Sequence, residues 1–148
     1  MRTITVGAAR PSDLPAVLAL LERSGLPQEG LADHLATTLV ARSGDEVVGS
    51  AALEVYGGAA LLRSVAVDSA LRGEGLGQRL TLAALDLARQ RGVATVYLLT
   101  ETAGDFFPRF GFQLTERAAV EPAVQQSVEF TSACPASAQV LVASLRVA

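Results

Sequence analysis

Apolar residues recur along the chain with two different periods, and the change of period separates predicted strands from predicted helices. Three stretches rich in valine, alanine and leucine are predicted to be strands: Thr37–Arg42, Glu46–Tyr56 and Ala59–Asp68. Ser43-Gly44-Asp45 separates the first two stretches. Gly57-Gly58 separates the second pair, and glycine accepts the positive φ of a two-residue hairpin turn. The three strands are therefore predicted to form an antiparallel meander.

Helical spacing governs the segments on either side of the meander. Apolar positions 14, 17, 18 and 21 follow Ser12, a predicted N-cap, and Ser24-Gly25 ends that helix. A longer predicted helix has apolar positions 76, 80, 83 and 87 and ends near Arg91-Gly92. The remaining predicted elements are strands at Thr3–Ala8, Val93–Thr100, Phe112–Thr115 and Gln139–Val147, and short helices at Leu31–Leu35 and Ala103–Phe110.

The length and composition bound the class of protein. The chain has 148 residues, half of them apolar, which is enough for one sizeable core. No repeat, linker or low-complexity segment interrupts it, so residues 1–148 are predicted to form a single α/β domain. No apolar run is long enough to span a membrane, and the N-terminus lacks the apolar core of a signal peptide. A soluble, cytoplasmic protein with no membrane partner is expected.

Several kinds of chemistry are excluded by residue types that the chain lacks. The net charge is −3, so no basic field is available to hold a nucleic acid. All twelve basic residues are arginine, which excludes a P-loop lysine and a Schiff-base lysine. His34 and Cys134 are the single residues of their types, so no metal site of the usual zinc kind is expected. Cys134 is predicted to be a core residue.

A glycine-rich loop, Arg72-Gly73-Glu74-Gly75-Leu76-Gly77, lies between a predicted strand and the long helix. Glycines let the backbone approach a ligand, and the helix N-terminus offers free amides to phosphate. Gln78 stands where a dinucleotide fingerprint needs its third glycine. The remaining pattern, Arg72-x-x-Gly75-x-Gly77, resembles the acetyl-coenzyme A signature of the GNAT N-acetyltransferase superfamily.

The resemblance implies a GNAT fold and acetyl-coenzyme A as co-substrate. The implied fold is a mixed, mostly antiparallel sheet of six to seven strands with a splayed central pair, flanked by about four helices. Leu62–Asp68 resembles the central strand, in which a bulge exposes backbone amides to the thioester. The implied coenzyme contacts are Val65, Ala66, Val67, Arg72, Gly73, Glu74, Gly75, Leu76, Gly77, Gln78, Thr100, Phe106, Phe107 and Arg109.

Two of these contacts have alternatives, and a third departs from the family pattern. Thr100 and Thr102 are predicted to cap the helix near Ala103 in preference to a catalytic role. Arg109 is equally an ordinary exposed helix arginine. The segment Ala103–Phe112 resembles Phe-Tyr-x-x-x-Gly-Phe of the family, but Phe107 stands where the family's tyrosine often protonates the leaving thiolate. No tyrosine general acid is therefore available at that position.

A narrower resemblance is carried by Tyr97-Leu98-Leu99-Thr100, Phe106-Phe107 and the tail Cys134–Ala138. These stretches resemble the branch found in arsenic-resistance operons, which is similar to the acetyltransferase module of N-acetylglutamate synthases. This resemblance implies a glutamate-like organoarsenical or a phosphinic amino acid as one acceptor.

Glu54 is the predicted general base. A two-residue turn at Gly57-Gly58 pairs Glu54 with Leu61 and Ala52 with Arg63, which places Glu54 and Arg63 on one face of the sheet. A carboxylate and a guanidinium together suit an amino-acid substrate, Arg63 binding its carboxylate. The alternative is a structural ion pair. Glu101 is a second candidate base, and its alternative is a solvated carboxylate at the end of a strand that has no function.

The function predicted from the sequence is direct transfer of an acetyl group from acetyl-coenzyme A to the amine of a small amino-acid-like acceptor. His34 is a candidate acceptor contact. A homodimer, in which a second copy of the chain is the partner, is left open. The alternative function is a non-catalytic coenzyme A-binding or regulatory domain, which the missing tyrosine keeps open.

Overall fold

Seven strands form one sheet in the computed structural model, which describes residues 3–101, 105–133 and 137–145. The strand order is β1-β2-β3-β4-β5-β7-β6, and every neighbouring pair is antiparallel except β4 with β5, which is parallel. The strands are β1 Ile4–Ala8, β2 Thr38–Ser43, β3 Glu46–Tyr56, β4 Ala59–Val67, β5 Thr95–Thr100, β6 Gln113–Thr115 and β7 Gln139–Ser144.

Three α-helices occur in this described part of the chain: α1 Leu14–Arg23, α2 Leu76–Gln90 and the single turn α3 Pro122–Gln125. Short 3-10 turns lie at Pro11–Asp13, Leu31–Thr37, Ser69–Leu71, Phe107–Phe110 and Arg117–Ala119, and a π-helical turn lies at Glu129–Ala133. None of the described helices is long and apolar enough to cross a membrane.

Helices cover both faces of the sheet, which explains why β3 and β4 are almost continuously apolar. On one face, α2 contributes Leu80 and Ala84 to a core shared with Leu53 and Leu62. On the other face, α1 packs its buried leucines against β2, β3 and β4. The α3 segment covers the rest of that second face and packs Val124 against Leu61.

The antiparallel meander is confirmed, and its register is the one predicted from Gly57-Gly58. Glu54 pairs with Leu61, and Ala52 pairs with Arg63. The predicted GNAT fold, a mixed sheet of about seven strands flanked by helices, is confirmed as well.

Several predicted boundaries are wrong for local reasons. Ser12 is not the N-cap of α1: it lies inside a 3-10 turn, and Asp13 occupies the cap position. The fifth strand begins at Thr95 and not at Val93, because the Val93 amide donates to the carbonyl of Ala88 at the end of α2. In place of the helix predicted over Ala103–Phe110, the structure has the 3-10 turn Phe107–Phe110. Thr102, Ala103 and Cys134 lie outside the described residues.

The central strands β4 and β5 separate soon after they begin to pair. Their parallel ladder joins Ala59–Leu61 to Thr95–Tyr97. Beyond that point β4 carries a bulge, in which Ser64 and Val65 together oppose Ala51 of β3. The predicted splay of the central pair therefore corresponds to an early end of the ladder.

The N-terminus of α1 is tied to β2 by an ion pair. Asp13 accepts hydrogen bonds from the Arg10 amide (2.6 Å) and from Nη1 of Arg42 (2.7 Å). The Arg42 hydrogen bonds lower the pKa of Asp13 from 3.8 to about 2, with the Arg10 amide assisting, although burial opposes the shift. The carboxylate form of Asp13 therefore stabilises the folded state.

We expect Asp13→Asn to lower the free energy of unfolding by about 1–2 kcal/mol at neutral pH. The folded pKa of Asp13 lies below its unfolded value, so the stabilisation is complete above about pH 4 and is lost as the pH falls towards 2. Denaturant titrations of both proteins across this range should converge at low pH. Asp86→Asn is the control, because Asp86 forms an exposed pair with Arg89 and its loss should change stability little.

Candidate active site

A cavity of about 1200 Å³ opens where β4 and β5 separate. One group of its lining residues comes from the glycine loop, the start of α2 and the segment after β5: Arg72, Gly73, Gly75, Leu76, Gly77, Gln78, Phe106, Phe107 and Arg109. A second group comes from the loop after α1, from β4 and from the π-helical turn: Ser24, Gly25, Leu26, Pro27, Glu29, Arg63, Ser64 and Glu129. Residues 65–67 of β4, residues 98–100 of β5 and Glu101 also line it.

The glycine loop has the backbone conformation of an anion-binding turn. Gly73 and Gly75 have φ of +85° and +81°, in the left-handed region that favours glycine, and Gly75 is the N-cap of α2. Gly77 lies in the first turn, where an added Cβ would stand 3.6 Å from Cζ of Phe106. Free amides and the partial positive charge of a 15-residue helix therefore face the cavity.

Most of the predicted coenzyme contacts line this cavity. Glu74 does not: it is exposed and lies at a separate, smaller recess beside Asp68. Arg72 is exposed, and its Nε donates to the carbonyl of Val67 at 3.3 Å. Arg109 stacks over the ring of Phe106 at 5.2 Å, and both residues line the cavity. Thirteen of the fourteen predicted coenzyme contacts line the cavity, and they stay predictions. Glu74 is the fourteenth and lies outside the cavity.

Phe107 stands at the position where the family pattern has a tyrosine. Its ring is 7% exposed and packs edge-on against Phe106 and Phe112, at centroid distances of 5.0 and 5.9 Å. Phe107 therefore closes one wall of the cavity as part of the core. The wall offers no hydroxyl at this position.

A buried polar network surrounds Arg63 on the α1 face of the sheet. The Arg63 side chain has no exposed surface. Its Nη1 donates to Glu54 (2.8 Å), and its Nη2 donates to the carbonyl of Pro27 (3.2 Å). Its Nε lies 3.2 Å from a carboxylate oxygen of Glu129 and 3.1 Å from the hydroxyl of Ser64. The guanidinium is thus held by two carboxylates, a carbonyl and a hydroxyl.

The role of Arg63 as a contact of the acceptor carboxylate stays a prediction, and this geometry bears on it. A substrate carboxylate at this buried guanidinium would meet the carboxylates of Glu54 and Glu129 at close range. The arrangement fits the alternative of a structural ion pair between Arg63 and Glu54. Such pairs keep their charge in the interior through complete hydrogen bonding.

The role of Glu54 as the general base stays a prediction, and the same network weighs against it. Glu54 is 1% exposed and is not among the residues that line the cavity. Burial would raise its pKa, but hydrogen bonds from Tyr56, Arg63 and Ser127 outweigh burial and lower the pKa below its ordinary value. A carboxylate with a lowered pKa and no access to the cavity is a poor proton acceptor.

Tyr56 and His34 complete the network on the side away from the cavity. The Tyr56 hydroxyl donates to Glu54 at 2.5 Å, and burial together with this carboxylate raises the pKa of Tyr56. His34 is half-buried, with Nε2 3.7 Å from Glu54. His34 is not among the residues that line the cavity, and its role as an acceptor contact stays a prediction.

Glu101 occupies a different position from Glu54. It follows the last residue of β5, is exposed and lines the cavity beside Thr100. Among the residues that the structure describes, no group of three histidine, cysteine or acidic side chains could hold a metal ion.

Sequence reasoning missed Glu129, Tyr56 and Ser64. Glu129 is 4% exposed and follows a stretch of short turns without a helical or strand period, so no pattern marked it as buried. Tyr56 ends a strand and gave no separate signal. Ser64 has a φ of +60°, which no sequence rule assigns to serine. The available signal in the sequence is Arg63 within an apolar strand, because a buried guanidinium requires carboxylate partners.

Comparison with known proteins identifies the family. Residues 34–114 match the family described as the acetyltransferase (GNAT) domain. The chain belongs to this GNAT family. The predicted membership of the GNAT acetyltransferase family is thereby confirmed.

Two relatives of the GNAT domain are amino-acid acetyltransferases of Neisseria meningitidis strains, each 27% identical over 119 residues. The match covers 74% of this chain and 27% of each relative, so the chain spans about a quarter of their length.

Solved structures agree with the fold. Rv2747 of Mycobacterium tuberculosis, in complex with CoA and a second ligand, has a TM-score of 0.80 at 27% identity, over 96% of this chain and 99% of that chain. N-acetylglutamate synthase of Neisseria gonorrhoeae, complexed with coenzyme A and N-acetyl-glutamate, has a TM-score of 0.83 at 22% identity. That match covers 99% of this chain and 36% of the synthase chain, and it shows the fold.

We expect Gly77→Asp to weaken the affinity for acetyl-coenzyme A at least about tenfold, because it sets a carboxylate against the phosphates at the start of α2. An acidic residue in a first helical turn is compatible with folding, so the melting temperature should hold. Isothermal titration calorimetry measures the affinity.

Gly77→Ala is the matched control, because its Cβ would meet Phe106 and Val67 only at 3.6 and 3.7 Å, which are ordinary contact distances. Gly75 is unsuitable for this test, since any side chain there is strained by a φ of +81°. A folded Gly77→Asp protein with the affinity of the wild type would contradict the phosphate assignment.

Proposed function

We propose that this chain transfers an acetyl group from acetyl-coenzyme A to the amine of a small amino-acid-like acceptor, and that residues 1–148 form one acetyltransferase domain. One observation carries the proposal: a single cavity joins the glycine loop, the bulged strand β4 and a buried acidic end. A coenzyme and an acceptor can therefore meet beside β4 without a change of fold.

The residues at the glycine loop are suited to hold the coenzyme. The amides at the start of α2 and the guanidinium of Arg72 suit its phosphates, and Arg109 over Phe106 offers a second cation at the same wall. The bulge at Ser64 and Val65 takes β4 out of the ladder with β5. Amides left unpaired there are suited to bind the carbonyl oxygen of the thioester.

The opposite group of lining residues suits an amine. Arg63 carries one positive charge between the carboxylates of Glu54 and Glu129, and Glu29 also lines the cavity. This excess of carboxylates attracts an ammonium group. The names of the relatives, amino-acid acetyltransferase and N-acetylglutamate synthase, favour an amino acid as acceptor. Glutamate analogues, including an organoarsenical or phosphinic amino acid, fall within this class.

We assign the general base to Glu101. Its carboxylate is exposed on the cavity wall, whereas Glu54 lies behind Arg63 and outside the cavity. The amine must lose its proton before or during attack on the thioester, and a carboxylate at the cavity wall can accept that proton directly or through water.

Glu101→Gln should therefore lower kcat by about 10²-fold, with little change in melting temperature or in the affinity for acetyl-coenzyme A. Glu54→Gln should show the reverse pattern: a loss of about 1–3 kcal/mol in stability, because the buried guanidinium loses a charged partner, and a smaller change in kcat. Steady-state kinetics and thermal unfolding of both variants separate the two roles. Glu22→Gln, on the exposed side of α1, is the control. A normal kcat for Glu101→Gln would contradict the assignment.

An acceptor screen tests the function itself. Release of free coenzyme A is measured with amino acids, with the same amines lacking a carboxylate, and with organoarsenical and phosphinic amino acids. We expect saturable turnover with at least one α-amino acid and none without an acceptor. Tight binding of acetyl-coenzyme A with no turnover on any amine would instead support a coenzyme A-binding or regulatory domain, the alternative that Phe107 favours.

A further inference from the structure

We infer that Ser50 and Arg63 are positioning residues that clamp Ser64 from two sides, and that this clamp fixes the bulge of β4 against the acetyl group. The inference rests on the proposed acetyl transfer, because the bulge matters only if its amides meet the thioester. It also gives the buried network around Arg63 a role in the reaction without direct contact to substrate.

Ser64 holds an unfavourable backbone conformation. Its φ is +60°, and it is the one residue other than glycine with a positive φ in the described part of the chain. A side chain disfavours this left-handed region, so the conformation persists only where neighbouring contacts hold it. Ser64 is buried, at 7% exposure, and it lies at the bulge itself.

Two hydrogen bonds hold Ser64, one on its backbone and one on its side chain. The hydroxyl of Ser50, which is fully buried on the neighbouring strand β3, donates to the carbonyl of Ser64 at 2.7 Å. Nε of Arg63 donates to the hydroxyl of Ser64 at 3.1 Å. Arg63 cannot swing away, because Glu54 and Pro27 hold its two terminal nitrogens.

The position of the clamp connects it to the cavity. The ladder between β3 and β4 shifts register between Ser50 and Ala52, and Ser64 and Val65 fill that shift. The next residues of β4, Ala66 and Val67, line the cavity together with Val65. If Ser64 relaxed to a negative φ, the peptide plane between Ser64 and Val65 would rotate. The backbone amides in residues 65–67 would then change their orientation relative to the cavity.

The physical cost of the network supports a role beyond stability. A buried arginine with two carboxylates pays a large desolvation penalty, and apolar residues in the same space are often no less stabilising. The network supplies what apolar residues cannot: a fixed hydrogen-bond donor on the Ser64 hydroxyl. A misplaced donor at a reacting carbonyl costs much of its effect on the rate.

The test is the carbonyl stretching frequency of bound acetyl-coenzyme A that carries ¹³C at the acetyl carbonyl. A hydrogen bond to this carbonyl lowers the frequency relative to free acetyl-coenzyme A. We expect the wild type to show this shift and Ser50→Ala to lose more than half of it. The affinity of Ser50→Ala for coenzyme A, which has no acetyl group, should stay within about twofold of the wild type.

Thr37→Val is the matched control. Thr37 also donates a hydroxyl hydrogen bond to a backbone carbonyl of β3, that of Leu53, at 2.5 Å. Its loss should lower the melting temperature about as much as Ser50→Ala does, yet leave the carbonyl frequency unchanged. Equal loss of the frequency shift in both variants would overturn the inference, because the effect would then be one of general stability.

Substitutions at Ser64 give a second, independent readout. Ser64→Gly removes the side-chain bond but accepts a φ of +60° without strain, so it should keep most of the frequency shift while Ser50 still holds the carbonyl. Ser64→Ala removes the same bond and keeps the strain, so it should lose most of the shift. A larger frequency shift in Ser64→Ala than in Ser64→Gly, or equal shifts in both variants, would overturn the inference.

The outcomes also separate this inference from the proposed function. A wild type that acetylates an amine but leaves the carbonyl frequency at its free value would overturn the inference and leave the transfer reaction standing. A wild type that neither shifts the frequency nor turns over any amine would overturn both.

Discussion

The early end of pairing between β4 and β5 is the constraint on which the rest of this structure depends. Backbone amides and carbonyls inside a protein need partners, and a parallel ladder normally supplies them. Here the ladder stops after Leu61 and Tyr97, and the opening becomes a cavity of about 1200 Å³. The bulge at Ser64 and Val65 keeps β4 paired to β3 while it leaves β5. The sheet thus stays continuous on one side of β4, while the other side of β4 faces the cavity.

A buried charge network lies beside that opening, and its composition follows from the burial of Arg63. A guanidinium without exposed surface requires carboxylate and carbonyl partners, which Glu54, Glu129 and Pro27 provide. Gly30 is part of the same fit, because an added Cβ there would stand 3.3 Å from Nη1 of Arg63 and 2.7 Å from Val128. The loop after α1 and the π-helical turn are therefore packed around one arginine of the central sheet.

Sequence patterns predict those parts of the structure that depend on residues close together in the chain. Gly57-Gly58 fixes the hairpin between β3 and β4, so the pairing of Glu54 with Leu61 followed from the sequence. The glycine loop is predictable because Arg72-x-x-Gly75-x-Gly77 is a local pattern, and the positive φ of Gly73 and Gly75 is the reason for glycine at two of its positions. The partners of Arg63 were not found, since Glu129 is remote in sequence and lies among short turns without a period. The same gap made Glu54 look accessible, because the segment that contains its partner Ser127 had no predicted structure.

Phe107 bears on how the proposed reaction would end. The leaving group is the thiolate of coenzyme A. For comparison, a cysteine thiol has a pKa of about 8.5, so a thiolate can depart without full protonation. Phe107 packs against Phe106 and Phe112 and supplies a closed apolar wall in place of an acid. The demanding steps then fall elsewhere: deprotonation of the amine, and stabilisation of the negative charge on the thioester oxygen. Glu101 serves the first step in this scheme, and the bulge of β4 serves the second. The position of the backbone amides in the bulge therefore matters more here than in a site with its own general acid.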